Sequence, residues 1–139
     1  MAHINESAEN YLETILKLSN TLPAVRSIDI VNELGFKKSS VSVAMKHLRE
    51  KEYIIVADDG HISLTDSGRA IAEMVFERHQ LLTLWLTRMG VPEEIAAEDA
   101  CKIEHDISDE TFEKLKTFLE KLPFYNLNYK YNYKNHQKR

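Results

Sequence analysis

Tyr53-Ile54-Ile55-Val56-Ala57-Asp58-Asp59-Gly60-His61-Ile62-Ser63-Leu64-Thr65 sets two strand-forming runs on either side of an Asp-Gly turn. Val, Ile and Tyr suit a pleated, half-buried surface, and Asp-Gly tolerates the positive φ of a tight turn. The stretch therefore predicts a β-hairpin. Immediately before it, Ser39 or Ser40 is placed to cap a helix running to about Lys51, with Val41, Ala44, Met45 and Leu48 as its buried stripe. Earlier still, Ser27 is placed to cap a shorter helix, Ile28 to Leu34, which Gly35 ends in the left-handed conformation. A short helix, a glycine turn and a longer helix make a helix-turn-helix. A hairpin directly after it is a wing, and the three in this order are far more specific than any one alone.

Upstream, apolar residues recur at helical spacing from Asn5 to Leu18, at Ala8, Tyr11, Leu12, Ile15 and Leu16. Downstream, Thr65 or Asp66 starts a long helix to about Met89, striped by Ile71, Met74, Val75, Leu81, Leu82 and Trp85. Val91-Pro92 restarts the chain into a helix ending near Asp106, since Pro suits a first helical turn. Ser108 then caps a last helix, Asp109 to Leu122. Residues 123–139, rich in Tyr, Asn and Lys, lack a helical stripe and are expected to form a flexible basic tail. The expected organisation is mainly α: a winged helix-turn-helix domain over 1–72, a helical domain over 73–122, and the tail.

Composition is that of an ordinary soluble chain, 43% hydrophobic and 29% charged. A single cysteine makes no internal disulfide, which suits a reducing cytoplasm. The N-terminus lacks the basic and apolar regions of a secretion signal, and no apolar run has the length of a membrane span. The net charge of −4 argues against a general nucleic-acid binder. Its distribution is uneven, however: residues 123–139 carry +4 and the rest −8.

Ligand chemistry concentrates in Asp99-Ala100-Cys101-Lys102-Ile103-Glu104-His105. Cys101, Glu104 and His105 stand at i, i+3 and i+4 and converge on one helical face. Thiolate, carboxylate and imidazole together suit a divalent first-row metal. Cys-x-x-Glu-His also has the spacing of a zinc hydrolase helix with one His replaced, so a metalloenzyme is a competing reading. A third is a winged-helix regulator that senses no metal.

The order of elements resembles the diphtheria-toxin-repressor family, which includes the manganese transport regulators. The resemblance rests on Ala8-Glu9-Asn10-Tyr11-Leu12-Glu13, Arg78-His79-Gln80-Leu81-Leu82 and the stretch from Asp99 to Glu110. It implies a winged helix-turn-helix DNA-binding domain over 1–72 and a helical dimerisation and metal-binding domain over 73–122, in a homodimeric, metal-dependent repressor that binds a pseudo-palindromic double-stranded operator and controls metal-uptake genes. It further implies that Glu104 and His105 are shared ligands, that Cys101 matches the iron-type position, and that His79 and Glu13 ligate as well. Asn10 departs from the family's Met or Asp; its amide oxygen is a candidate ligand without charge. Thr83 and Ala97 stand where iron-type members place a Glu and a His, which argues against an iron-type ancillary site. Fe(II) is expected to lead Mn(II) as the effector, with Zn(II), Co(II) or Ni(II) binding in vitro.

For DNA the candidates are Lys37, Lys38, Ser39, Ser40, Ser42 and Lys46. The first four lie at the helix N-terminus, where backbone N–H groups also favour phosphate. Val43 is apolar where a polar, base-reading residue would be expected. Trp85, Leu86, Met89, Phe112, Leu115 and Phe118 offer apolar surface for the subunit interior and for an interface across a two-fold axis.

Overall fold

The computed structural model describes residues 5–122, so the expected tail lies outside the described residues. The described chain is mainly helical with one small hairpin, and it divides into two compact units, residues 5–73 and 74–122.

The first unit begins with α1 (Glu6–Ser19), capped by the Asn5 side chain accepting from the Ala8 N–H at 2.8 Å. Leu12, Ile15 and Leu16 are buried along one stripe, as their spacing predicts. The helix-turn-helix follows as α2 (Ser27–Leu34) and α3 (Lys38–Glu50). Gly35 ends α2 at φ 70°, as expected. The expected serine caps are wrong. Helix α2 starts at Ser27 itself, where the Asp29 carboxylate accepts from the Arg26 N–H at 2.9 Å. Helix α3 starts at Lys38, so Ser39 and Ser40 lie inside its first turn. In α2 the carboxylate three residues into the helix accepts from the N–H of the cap residue Arg26, the reciprocal half of a capping box, while α3 starts with no side-chain cap bond.

Strands β1 (Ile54–Val56) and β2 (Ile62–Leu64) pair antiparallel, with Ile54 opposite Leu64 and Val56 opposite Ile62. The wing is tied back twice. Ile62 donates its N–H to the Val25 carbonyl at 2.7 Å, and Arg26 reaches Asp59 at the turn, Nη2 to Oδ2 at 3.4 Å. The His61 N–H donates to Asp59 Oδ1 at 3.0 Å, and this, with weaker help from the Arg26 charge, holds the Asp59 carboxyl below the usual carboxylate range.

Helix α4 (Asp66–Arg88) contributes residues to both units. Thr65 caps it: its hydroxyl accepts from the Gly68 N–H at 3.2 Å and donates to the Glu52 carbonyl at 2.7 Å. In the second unit α4 is followed by α5 (Glu93–Asp106) and α6 (Asp109–Glu120), where Ser108 Oγ accepts from the Thr111 N–H at 3.1 Å as a cap. Leu81, Phe112 and Leu119 form a buried cluster, with Trp85 and Leu115 packed against it. Phe112 is therefore interior, whereas Met89 and Phe118 are exposed. No helix among the described residues is long and apolar enough to cross a membrane.

Two backbone positions give testable outcomes. A Cβ at Gly68 would lie 2.0 Å from the Tyr53 carbonyl oxygen, so backbone must move to admit one. Gly68→Ala is expected to destabilise the first unit by about 3 kcal/mol, read by thermal or urea unfolding. Glu52 is held at φ 63°, in the left-handed region that disfavours a side chain. Glu52→Gly should stabilise by about 0.5–1 kcal/mol in the same measurement, relief of that strain exceeding the added freedom of the unfolded chain.

Candidate metal centre

Helix α5 starts behind Pro92 with Glu93 and Glu94 in its first turn and runs until Ile107 turns extended. Acidic residues at a helix N-terminus are favourable, and the C-terminal end then carries the negative partial charge of its carbonyls. Cys101, Glu104 and His105 occupy that end. One ligand atom from each lies within 4.8 Å of the others, as the i, i+3, i+4 spacing predicts.

Glu104 is fully buried, with its carboxylate flanked by two imidazoles. His79 Nδ1, from α4, lies 2.8 Å from Oε2, and His105 Nε2 lies 3.4 Å from Oε1. An ionised carboxylate only accepts, so Nδ1 is the donor in the 2.8 Å contact and Nε2 is the ring nitrogen left over for a further ligand. A carboxylate-oriented imidazole of this kind is a common companion of a metal. Thiol, carboxylate and imidazole gathered at the negative end of a helix form a donor set that fits a divalent first-row ion.

The adjacent residue fixes the same glutamate from the other side. Arg78 is buried at 1% exposure, and Nη1 donates to the Glu104 carbonyl at 3.2 Å and to the Ile107 carbonyl at 2.7 Å. Its Nη2 pairs with Asp109, and its guanidinium lies 5.1 Å from the centre of the Phe112 ring. Arg78 thus binds the end of α5 to the start of α6. Lys116 adds an ion pair to Glu77 at 2.5 Å, which holds its ammonium pKa above the ordinary value. Neither role was foreseen, because Arg and Lys on a helix usually face water.

Asn10 and Glu13 lie on α1, in the first unit. Glu13 is buried at 6% exposure and pairs through Oε1 with Lys17 at 3.0 Å. Its other oxygen is buried without a hydrogen bond among the described residues, a costly condition for a carboxylate unless a further cation joins it. The Asn10 backbone carbonyl accepts from the Thr14 hydroxyl at 2.8 Å. Thr83 and Ala97 offer neither carboxylate nor imidazole for a second site of the iron type.

The candidate DNA residues all belong to the start and the outer face of α3. Lys37, Lys38, Ser39, Ser40, Ser42 and Lys46 are exposed. So are His47 and Arg49, two further basic side chains on the same helix that were not among the expected candidates.

Comparison with known proteins defines the class. Residues 3–62 match the family described as "Iron dependent repressor, N-terminal DNA binding domain". Residues 65–125 match "Iron dependent repressor, metal binding and dimerisation domain". An uncharacterised HTH-type transcriptional regulator of Methanocaldococcus jannaschii is 32% identical over 85% of this chain and 96% of its own length. The transcriptional regulator MntR of Escherichia coli is 32% identical over 86% of this chain and 77% of its own. Among solved structures, the manganese regulator SloR superposes with a TM-score of 0.73 at 25% identity, over 86% of this chain. The present chain spans about half the length of that protein, 55%. These are transcriptional regulators. The chain belongs to the iron-dependent repressor family of metal-dependent transcriptional repressors, and the hydrolase reading of Cys-x-x-Glu-His is set aside.

Removing the Arg78 fork takes a donor from two carbonyls and breaks the ion pair with Asp109. Arg78→Met is expected to destabilise the protein by about 2–4 kcal/mol in urea unfolding. Arg78→Lys should recover little of this, because an ammonium cannot reproduce a planar fork.

Proposed function

We propose that this regulator senses divalent iron or manganese in the cytoplasm and, when loaded, represses metal-uptake genes. The observation that carries the reading is the group of Cys101, Glu104 and His105 within 4.8 Å, with His79 on the same buried carboxylate. Cys101 brings a soft donor, which favours Fe(II) over Mn(II). A neighbour that is a manganese regulator supports the second ion. Thiolate also suits zinc, so affinity in the test tube does not name the physiological metal.

In this reading His79, Cys101, Glu104 and His105 hold the metal, and Glu13 and Asn10 add oxygen donors from α1. A divalent ion would supply positive charge beside the buried Glu104 carboxylate. By engaging α1 it would bias the winged unit toward the geometry that binds an operator, a shift of populations that needs only differential metal affinity. Lys37, Lys38, Ser39, Ser40, Ser42 and Lys46 present α3 to the duplex, the lysines chiefly to phosphate.

One small winged unit reads few base pairs, so useful specificity calls for a homodimer on a pseudo-palindromic site. Met89 and Phe118, both exposed, are the apolar residues of the second unit best placed to serve such an interface.

The test is an anaerobic calorimetric titration of the full chain with Fe(II), Mn(II) and Zn(II). Cys101→Ala should lower affinity for Fe(II) and Zn(II) about tenfold or more beyond its effect on Mn(II). An equal loss for all three would make Cys101 a packing residue and return manganese to first place.

A further inference from the structure

Helix α3 buries Val41, Met45 and Leu48 on one stripe. Nearly opposite that stripe, at the middle of the outer face, stands Val43, 55% exposed. A β-branched side chain adds little to helix propensity, and at this exposure it gains little from burial within its own chain. Its neighbours on that face are polar: Ser39 one turn before it, His47 one turn after it, and Ser42 and Lys46 beside them, all exposed. Lys37, Lys38 and Arg49 add positive charge along the same helix, against a single acid, Glu50, at its last residue. An isolated apolar group inside a basic, hydroxyl-rich face suits an anionic duplex better than it suits a second copy of this face, whose charge would repel.

Valine has no donor or acceptor. It cannot read the N7 and O6 of guanine, the amino group of cytosine, or the donor–acceptor pair of adenine. The apolar group that the major groove displays is the C5-methyl of thymine. We propose that Val43 is a specificity-determining residue that contacts a thymine methyl in each half of the operator. This inference rests on the DNA-binding reading given above and adds the base it selects. The serines and lysines around Val43 fix the helix on the duplex, and Val43 makes one position of each half-site thymine.

The experiment starts with full-length protein and Mn(II), used to enrich duplexes from a random library. Thymines of the enriched site are then replaced by uracil, singly and in symmetric pairs. Uracil keeps every hydrogen-bonding edge and removes only the methyl. Burying one methyl against an aliphatic side chain corresponds to about fourfold in affinity. One symmetric pair should therefore weaken binding by about fifteenfold, the two half-sites contributing independently. Val43→Asn, a polar replacement at an exposed position, should bind the thymine and uracil versions within about twofold of each other. If Val43→Asn still discriminates thymine from uracil, another side chain reads the methyl and the proposal is overturned. A site with no uracil-sensitive position overturns it as well. Failure to enrich any duplex would instead remove the DNA-binding reading itself, an outcome distinct from failure of Val43 alone.

Discussion

Two neighbouring residues of α4 hold one glutamate of α5, Arg78 by its backbone and His79 by its side chain. The rest of the second unit depends on this double hold. Arg78 brings a permanent charge into an interior that would reject it were the guanidinium not spent on two carbonyls, one carboxylate and one aromatic face. Because it binds carbonyls at the end of α5 and the carboxylate at the start of α6, it sets where one helix stops and the next begins. The Glu104 carboxylate is thereby delivered to His79 and His105 by a backbone with little freedom to withdraw. A ligand set needs this kind of support, since a site built on unsupported side chains forfeits affinity to their ordering entropy.

The first unit has a different logic. Its helices bury largely aliphatic stripes, α1 adding the buried polar residues Glu9, Glu13 and Thr14, and its sheet of two three-residue strands is too short to persist alone. The hairpin is usable because Val25 and Arg26 reach it from the start of α2, and because Thr65 and Gly68 bring α4 up against the Tyr53 carbonyl. The turn between the strands is acidic, with Asp58 and Asp59, while the basic residues cluster on α3. Attraction to a polyanion therefore falls on the helix, and the wing tip is held with its charge partly matched by Arg26.

Much of this was legible in the residues. Helical spacing exposed the stripes on α1 and α3, Asp59-Gly60 marked the turn, and Gly35 marked the end of α2, because each signal is local and few alternatives satisfy it. The grouping of Cys101, Glu104 and His105 was equally plain, since three residues within one helical turn and a half need no tertiary information to meet. What could not be read were contacts made across elements. The start of α2 was missed for a different, local reason: the helix begins at Ser27 itself, with Asp29 accepting from the Arg26 N–H, a choice among neighbouring polar groups that spacing does not decide. Arg78 looked like one more charged helix residue, and only the fold shows that carbonyls 26 and 29 positions later wait for it. His79 entered through family resemblance; its 2.8 Å contact with Glu104 is a fact of packing.

The tie between the wing and the start of α2 has a consequence for how the first unit opens. A hairpin held at its tip by Arg26 and along its edge by Val25 cannot fray on its own. Its amide protons exchange with solvent only when α2 lets go, so hairpin and helix behave as one cooperative block. Evolution inherits the same coupling. An insertion that lengthens the Asp58-Asp59-Gly60 turn does more than enlarge a surface loop; it detaches the strand edge from the helix that precedes it, and drift at the wing tip is restrained by residues more than thirty positions upstream.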